Sequence, residues 1–206
     1  MRTIQDAASG GGPRRIVDEI DHARSQEYAL LSTLLMGSPD AAMIGRLARL
    51  RGDATPLGIA HAALAEAAAR TNAESARREY FTLFAGLSDG GLLPYASHYR
   101  EGTLYGGPLA QLRDTLRSLS IEKVDGYSEP EDHAGILCGI MASLADGRIA
   151  IPAEAERAFF EEHLAPWMAR FFADLGRAPQ ADLYARVGTV GRVFIEIETK
   201  AFALPA

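Results

Sequence analysis

The sequence predicts an all-α protein, a helical bundle of about eight to ten helices in two lobes joined by a glycine-, proline- and tyrosine-rich segment. Three observations carry that expectation. Apolar residues recur at three- and four-residue steps, as in Ile16, Val17, Ile20 and Ala23 and then Leu30, Leu31, Leu34 and Leu35. Strand-like alternation does not persist over a useful length; only the β-branched stretch from Val187 onward is ambiguous. Helix start and stop signals punctuate the chain at intervals that suit short helices.

Residues 1–13, ending SGGGP, have nothing to pack and are expected to form a flexible leader before a single all-helical domain at 14–206. The first helix begins after Arg14 and ends at the GSPD of 37–40, where Asp40 can cap a short helix reaching Leu50. Residues 57–70 are alanine-rich and helical, and Asn72 can cap a helix through Tyr80, Leu83 and Phe84. Residues 86–107 change character, with glycines, Pro94 and the tyrosines Tyr95, Tyr99 and Tyr105. This is the natural joint, so the lobes are expected at 14–86 and 108–206 with 87–107 between them. Helices resume at 108–119, 129–145, 153–175 with a break at Pro166, and 180–203.

Composition narrows the function classes. A net charge of −6 and a pI near 5.4 argue against nucleic acid, because phosphate contacts need a basic face. No stretch reaches the ~18–20 uninterrupted apolar residues of a membrane span, so no stable membrane insertion is expected. Cys138 is the sole cysteine, which rules out an intrachain disulfide and a cysteine-built zinc site and fits a cytoplasmic location. Arg14-Arg15 resemble a twin-arginine export signal. Asp18, Glu19, Asp21 and Glu27 then occupy the positions where such a signal is apolar.

The densest chemistry lies in SEPEDHAGILCGIM, residues 128–141. Ser128 and Glu131 have capping-box spacing, Pro130 suits a first helical turn, and Glu129, Glu131 and Asp132 suit the positive end of a helix dipole. Capping does not account for His133. With Leu137, Ile140, Met141 and Leu144 it shares one face, which fits a core histidine with a satisfied hydrogen bond. Beside Asp132 and the aromatic joint, the same ring is suited to a ligand. A metal pair is disfavoured, because adjacent helical residues diverge by about 100°. Nucleophile elbows and glycine-rich phosphate cradles are missing from the sequence, and no cofactor is expected. YFTLF at 80–84 fits a packed helix end, and Trp167 after Pro166 fits an anchor between helices. Pro94, Tyr95, Ser97 and Tyr99 combine aromatic faces with polar tips, the composition of a peptide-recognition groove.

YFTLF (80–84), PYASHY (94–99), EPEDH (129–133) and FFEEHLAPWMARF (159–171), in that order, resemble the TorD/DmsD/NarJ family of dedicated molybdoenzyme chaperones. The resemblance implies an all-helical, non-enzymatic protein. It implies binding of the twin-arginine leader or apo form of a molybdenum-cofactor oxidoreductase precursor before export or assembly. Carried onto this chain, the implied client-binding residues are Glu129, Pro130, Asp132 and His133, with Tyr95, Ser97 and Tyr99 from the joint and Tyr28 from the first helix. Acids at 129, 131 and 132 would accept guanidinium hydrogen bonds while the joint receives apolar side chains. The chain would act as a monomer or as a homodimer exchanging lobes through the joint. The alternatives are an all-α metal-dependent hydrolase using Asp132 and His133 with His98 or His163, and, more remotely, a nucleotide-binding regulator.

Overall fold

The computed structural model describes residues 17–85, 91–122 and 128–204. The expected leader at 1–13 and Arg14-Arg15 lie outside the described residues. Among those described, the chain is all-α. Its helices are α1 (Glu19–Met36), α2 (Ala41–Leu47), α3 (Pro56–Arg70), α4 (Ala73–Phe84), α5 (Ala96–Glu101), α6 (Gly107–Ser118), α7 (Ala134–Ala145), α8 (Ala153–His163), α9 (Met168–Arg177) and α10 (Leu183–Phe202).

Local chemistry sets many of the boundaries. Asp40 Oδ1 accepts from Met43 N at 2.7 Å to start α2, and Asn72 Oδ1 accepts from Ser75 N at 3.0 Å to start α4. Thr55 Oγ1 accepts from Gly58 N at 3.1 Å, with Pro56 as the first residue of α3. The long segment read as 153–175 divides as expected at Pro166, and Trp167 is buried at the start of α9. The β-branched stretch from Val187 is helical, because Val187, Val190, Phe194 and Ile195 form a buried face of α10. Packing there outweighs intrinsic propensity.

The chain divides into two compact units that interleave in sequence: 17–32 with 95–166, and 33–94 with 167–204. The sequence expectation divides it once, at 87–107, whereas each unit draws on two distant stretches. The expected joint also contains a helix, α5, which six residues and a capless start concealed from periodicity.

In the first unit, α6, α7 and α8 pack around Leu109, Leu112, Leu137, Met141, Phe159 and Phe160, all buried. Ser25 Oγ of α1 donates to the Ala142 carbonyl of α7 at 2.9 Å, and Arg24 bridges Asp21 at 2.9 Å and Glu156 of α8 at 2.8 Å. His163 of α8 shares a 2.9 Å hydrogen bond with Thr115 Oγ1 of α6.

In the second unit, α10 packs on α3, α4 and α9. Tyr80, Phe84 and Tyr184 form an aromatic cluster with centroids 5.1 to 5.9 Å apart. The two tyrosine hydroxyls donate to the Leu35 and Leu34 carbonyls at 3.2 and 2.9 Å. Within YFTLF, Leu83 is buried and Tyr80 and Phe84 join the cluster, whereas Phe81 is 51% exposed; Tyr80 also satisfies one carbonyl that the end of α1 leaves open. Glu79 supplies what α10 lacks at its own start. Its carboxylate accepts from the backbone N–H groups of Asp182, Leu183 and Tyr184 at 2.7, 3.3 and 2.7 Å.

Candidate functional site

EPEDH is not the first turn of a helix. It is a turn ahead of α7, in which the Pro130 carbonyl accepts from His133 N at 3.1 Å. His133, with extended backbone (φ −67°, ψ 133°), is the N-cap, and its Nδ1 accepts from Gly135 N at 3.0 Å. This corrects the capping box expected from Ser128 and Glu131. A histidine ring nitrogen does the work of the serine oxygen, which leaves the acids free to act elsewhere.

Each acid has a separate task. The Glu131 carboxylate accepts from Arg113 Nε and Nη2 of α6 at 3.0 and 2.8 Å. Glu129 accepts from the Tyr95 hydroxyl. Asp132 is fully buried and serves the start of α5: its carbonyl accepts from Ala96 N at 3.0 Å, and its Oδ2 accepts from Ser97 N at 2.9 Å. Tyr95 and His133 form an isolated antiparallel bridge, with their rings edge-on at 5.1 Å. The PYAS and EPEDH segments are thus stitched to each other by backbone, carboxylate and ring contacts within one unit. Two atoms inside the stitch, Asp132 Oδ1 and Ser97 Oγ, are buried without a hydrogen-bond partner among the described residues.

The electrostatics follow from this geometry. Burial pulls the His133 imidazolium down to about 4, against the opposing pull of Glu129 and Asp132. Because Nδ1 accepts from Gly135, the neutral ring carries its proton on Nε2. Burial, and then the Glu129 carboxylate, push the Tyr95 phenol far above its ordinary value. At neutral pH the site presents a neutral imidazole, a protonated phenol and the half-buried carboxylate of Glu129. This arrangement is suited to holding donors and apolar groups.

Of the residues singled out from sequence, the structure brings together Tyr95, Ser97, Glu129, Pro130, Asp132 and His133. Tyr99 lies further along α5, its ring edge-on to His98 at 5.6 Å. Tyr28 has no exposed surface and belongs to the core of α1, and Ser97 and Asp132 are equally enclosed. Asp132 accordingly cannot offer its carboxylate to a client arginine as it stands, unlike the expectation for the three acids together. Sequence reasoning missed Arg113, which sits on an ordinary amphipathic helix.

The donor set does not support a metal-dependent hydrolase. The described residues contain no group of three or more metal-ligating side chains. Asp132 turns to Ser97, His133 Nδ1 to Gly135, and His163 Nε2 to Thr115.

Comparison with known proteins gives this geometry a context. Residues 51–173, more than half of the chain, match the family described as nitrate reductase delta subunit. The chain belongs to this family. The part matched to the nitrate reductase delta subunit family includes the whole of the α5–α7 stitch. Curated relatives are named as chaperones. A Vibrio cholerae serotype O1 chain named chaperone protein TorD is 28% identical over 113 residues, covering 50% of this chain and 51% of the relative. A Haemophilus influenzae chain named "Probable Tat proofreading chaperone DmsD" is 31% identical over 108 residues, covering 52% and 51%. The chain spans about half the length of the curated relatives it matches. A solved structure from Archaeoglobus fulgidus, presented as a candidate redox enzyme maturation protein, superposes with a TM-score of 0.54 at 18% identity. It covers 88% of this chain and 97% of the other, a likeness of fold. No helix among the described residues is long and apolar enough to cross a membrane.

Proposed function

We propose that this protein is a cytoplasmic chaperone for a molybdenum-containing oxidoreductase subunit. It binds the precursor through its twin-arginine leader, its apo form or both, and holds it before export or assembly. The observation that carries the reading is the stitch between PYAS and EPEDH. A buried Asp132 and a capping His133 hold Tyr95, Glu129 and Pro130 as a preorganised surface that needs no covalent chemistry. Names of family relatives, chaperone protein TorD and Tat proofreading chaperone DmsD, support the same role.

Within this reading, Glu129 is the acid a client guanidinium reaches first, exchanging the Tyr95 hydroxyl for a charged donor. Glu131 becomes available when Arg113 swings away, which its half-exposed side chain permits. Asp132 and Ser97 act from below by setting the start of α5. Calorimetric titration with a twin-arginine leader peptide and with the apo subunit tests the proposal. Binding of either at micromolar concentration is expected. If neither binds and no oxidoreductase precursor co-purifies, the reading fails. Light scattering of the free and client-bound protein separates a monomer from a homodimer that exchanges lobes.

A further inference from the structure

The loop from α2 to α3 lies with its backbone directly on the first turn of α3. A Cβ at Gly52 would lie 1.8 Å from the Gly58 carbonyl oxygen, and one at Gly58 would lie 2.1 Å from Asp53 Oδ1 and 2.4 Å from Asp53 N. Glycine at both positions is what permits this approach. Thr55 ties the loop further, donating to Asp53 Oδ1 from its backbone N–H at 2.9 Å and from its hydroxyl. Those bonds hold the Asp53 carboxyl below its ordinary value. Residues 51–56 are nevertheless exposed, so the fixed geometry covers no core.

What the loop does form is a cleft of about 390 Å³, with Arg51, Asp53, Thr55, Leu57 and His61 in its lining. Small-molecule sites usually enclose ~300–1,000 Å³. The charges in the cleft differ in what they already hold. Asp53 is engaged by Thr55 and lies in the field of His61. Arg51 is exposed and makes no ion pair among the described residues, and neither do Arg46 and Arg49 just before it. Several arginines elsewhere are matched: Arg24 with Asp21 and Glu156, Arg113 with Glu131, and Arg192 with Glu196. On a chain of net charge −6, unmatched guanidinium groups at 46, 49 and 51 make this loop an electropositive spot.

We propose that this cleft binds a small hydroxylated molecule bearing an oxyanion, either a phosphate or a carboxylate. Arg51 receives the oxyanion through its planar fork of donors, and His61 adds a ring nitrogen. The Asp53 carboxylate accepts from a hydroxyl of the same molecule, and Leu57 lies against its carbon skeleton. The cleft belongs to the second unit and the α5–α7 stitch to the first, so the inference stands apart from the peptide-holding reading.

The test titrates the ¹⁵N-labelled full chain with ribose 5-phosphate and, separately, with malate, following backbone amide shifts. Shifts centred on 51–62 that saturate at millimolar concentration or below are expected with at least one probe, and the probe that saturates assigns the oxyanion. Arg51→Gln should weaken that binding by about tenfold, the loss of a charge-assisted pair. Arg186→Gln, which removes an exposed arginine outside the cleft, should bind like the wild type. Both variants should melt with the wild type, because neither side chain is packed. The inference is overturned if neither probe moves 51–62, if the shifts fail to saturate, or if Arg51→Gln binds as tightly as the wild type. It is overturned as well if Arg186→Gln weakens binding as much as Arg51→Gln does, the mark of an adventitious ion only.

Discussion

His133 combines a cap with a buried titratable ring, and its protonation carries a cost that can be measured. The native ring titrates near 4, against 6.5 for an ordinary histidine. Between those values the unfolded chain binds a proton that the native ring refuses, so stability falls as pH falls through that window. Above about 6.5 the contribution is complete and flat; by pH 4 roughly 3 kcal/mol of it is gone. His163, also shifted down by burial, acts in the same direction. Urea unfolding at pH 7.5, 6 and 5 should show this slope in the wild type. A shallower slope is expected in His133→Asn, which keeps a capping oxygen but does not titrate. Equal slopes in the two proteins would remove the assignment. Cys138 offers a simpler check. It is fully enclosed in α7 and burial pushes its thiol far up, so it should resist Ellman's reagent in native buffer and react once unfolded.

Helix pairs in this fold depend on partners that lie far off in sequence. α10 has no side-chain cap of its own, and Glu79 of α4 accepts from its first N–H groups. Charge-assisted bonds to a helix start are worth about 1–3 kcal/mol, so Glu79→Ala should lower stability by that amount in chemical denaturation. Mutating Asp182, which makes no side-chain cap bond, should cost far less. The pairing of α9 with α10 rests on glycine. A Cβ at Gly188 would lie 2.4 Å from Gly176 N and 2.7 Å from the Phe172 carbonyl, and one at Gly191 would lie 2.3 Å from the buried Phe172 ring. Alanine normally gains ~1 kcal/mol over glycine inside a helix. Here the clash is with backbone, which cannot swing aside, so Gly188→Ala should destabilise by about 1–3 kcal/mol or more. A thermal melt lower by several degrees is expected; a melt that rises would mean that the helices separate readily.

The unit formed by 33–94 and 167–204 closes only when the last stretch of the chain is present, because α10 covers α3 and α4. A fragment covering residues 14–86, the lobe that sequence reading suggests, would leave α3 and α4 without α10, the helix that packs on both. Expressed alone, it should melt without a cooperative transition in circular dichroism, whereas the full chain should unfold sharply. Closing contacts so distant in sequence also predicts slower folding than a bundle of sequential hairpins would have.

What the sequence determined alone was whatever depends on neighbours along the chain. Periodicity, the caps at Asp40 and Asn72 and the break at Pro166 yielded the helices, and the ordered motifs YFTLF, PYASHY and EPEDH pointed to the family and the region of the site. Tertiary structure decided the rest, because it depends on groups that no spacing rule connects. Only the fold brings Asp132 to the start of α5, makes His133 a cap and interleaves the units. It also buries Tyr28, which the family resemblance had offered to a client. A carboxylate in a sequence carries the same charge wherever it sits. Whether it binds a guest or its own backbone depends on which N–H groups the fold brings within 3 Å, and for the Asp132 carboxylate that group is the N–H of Ser97.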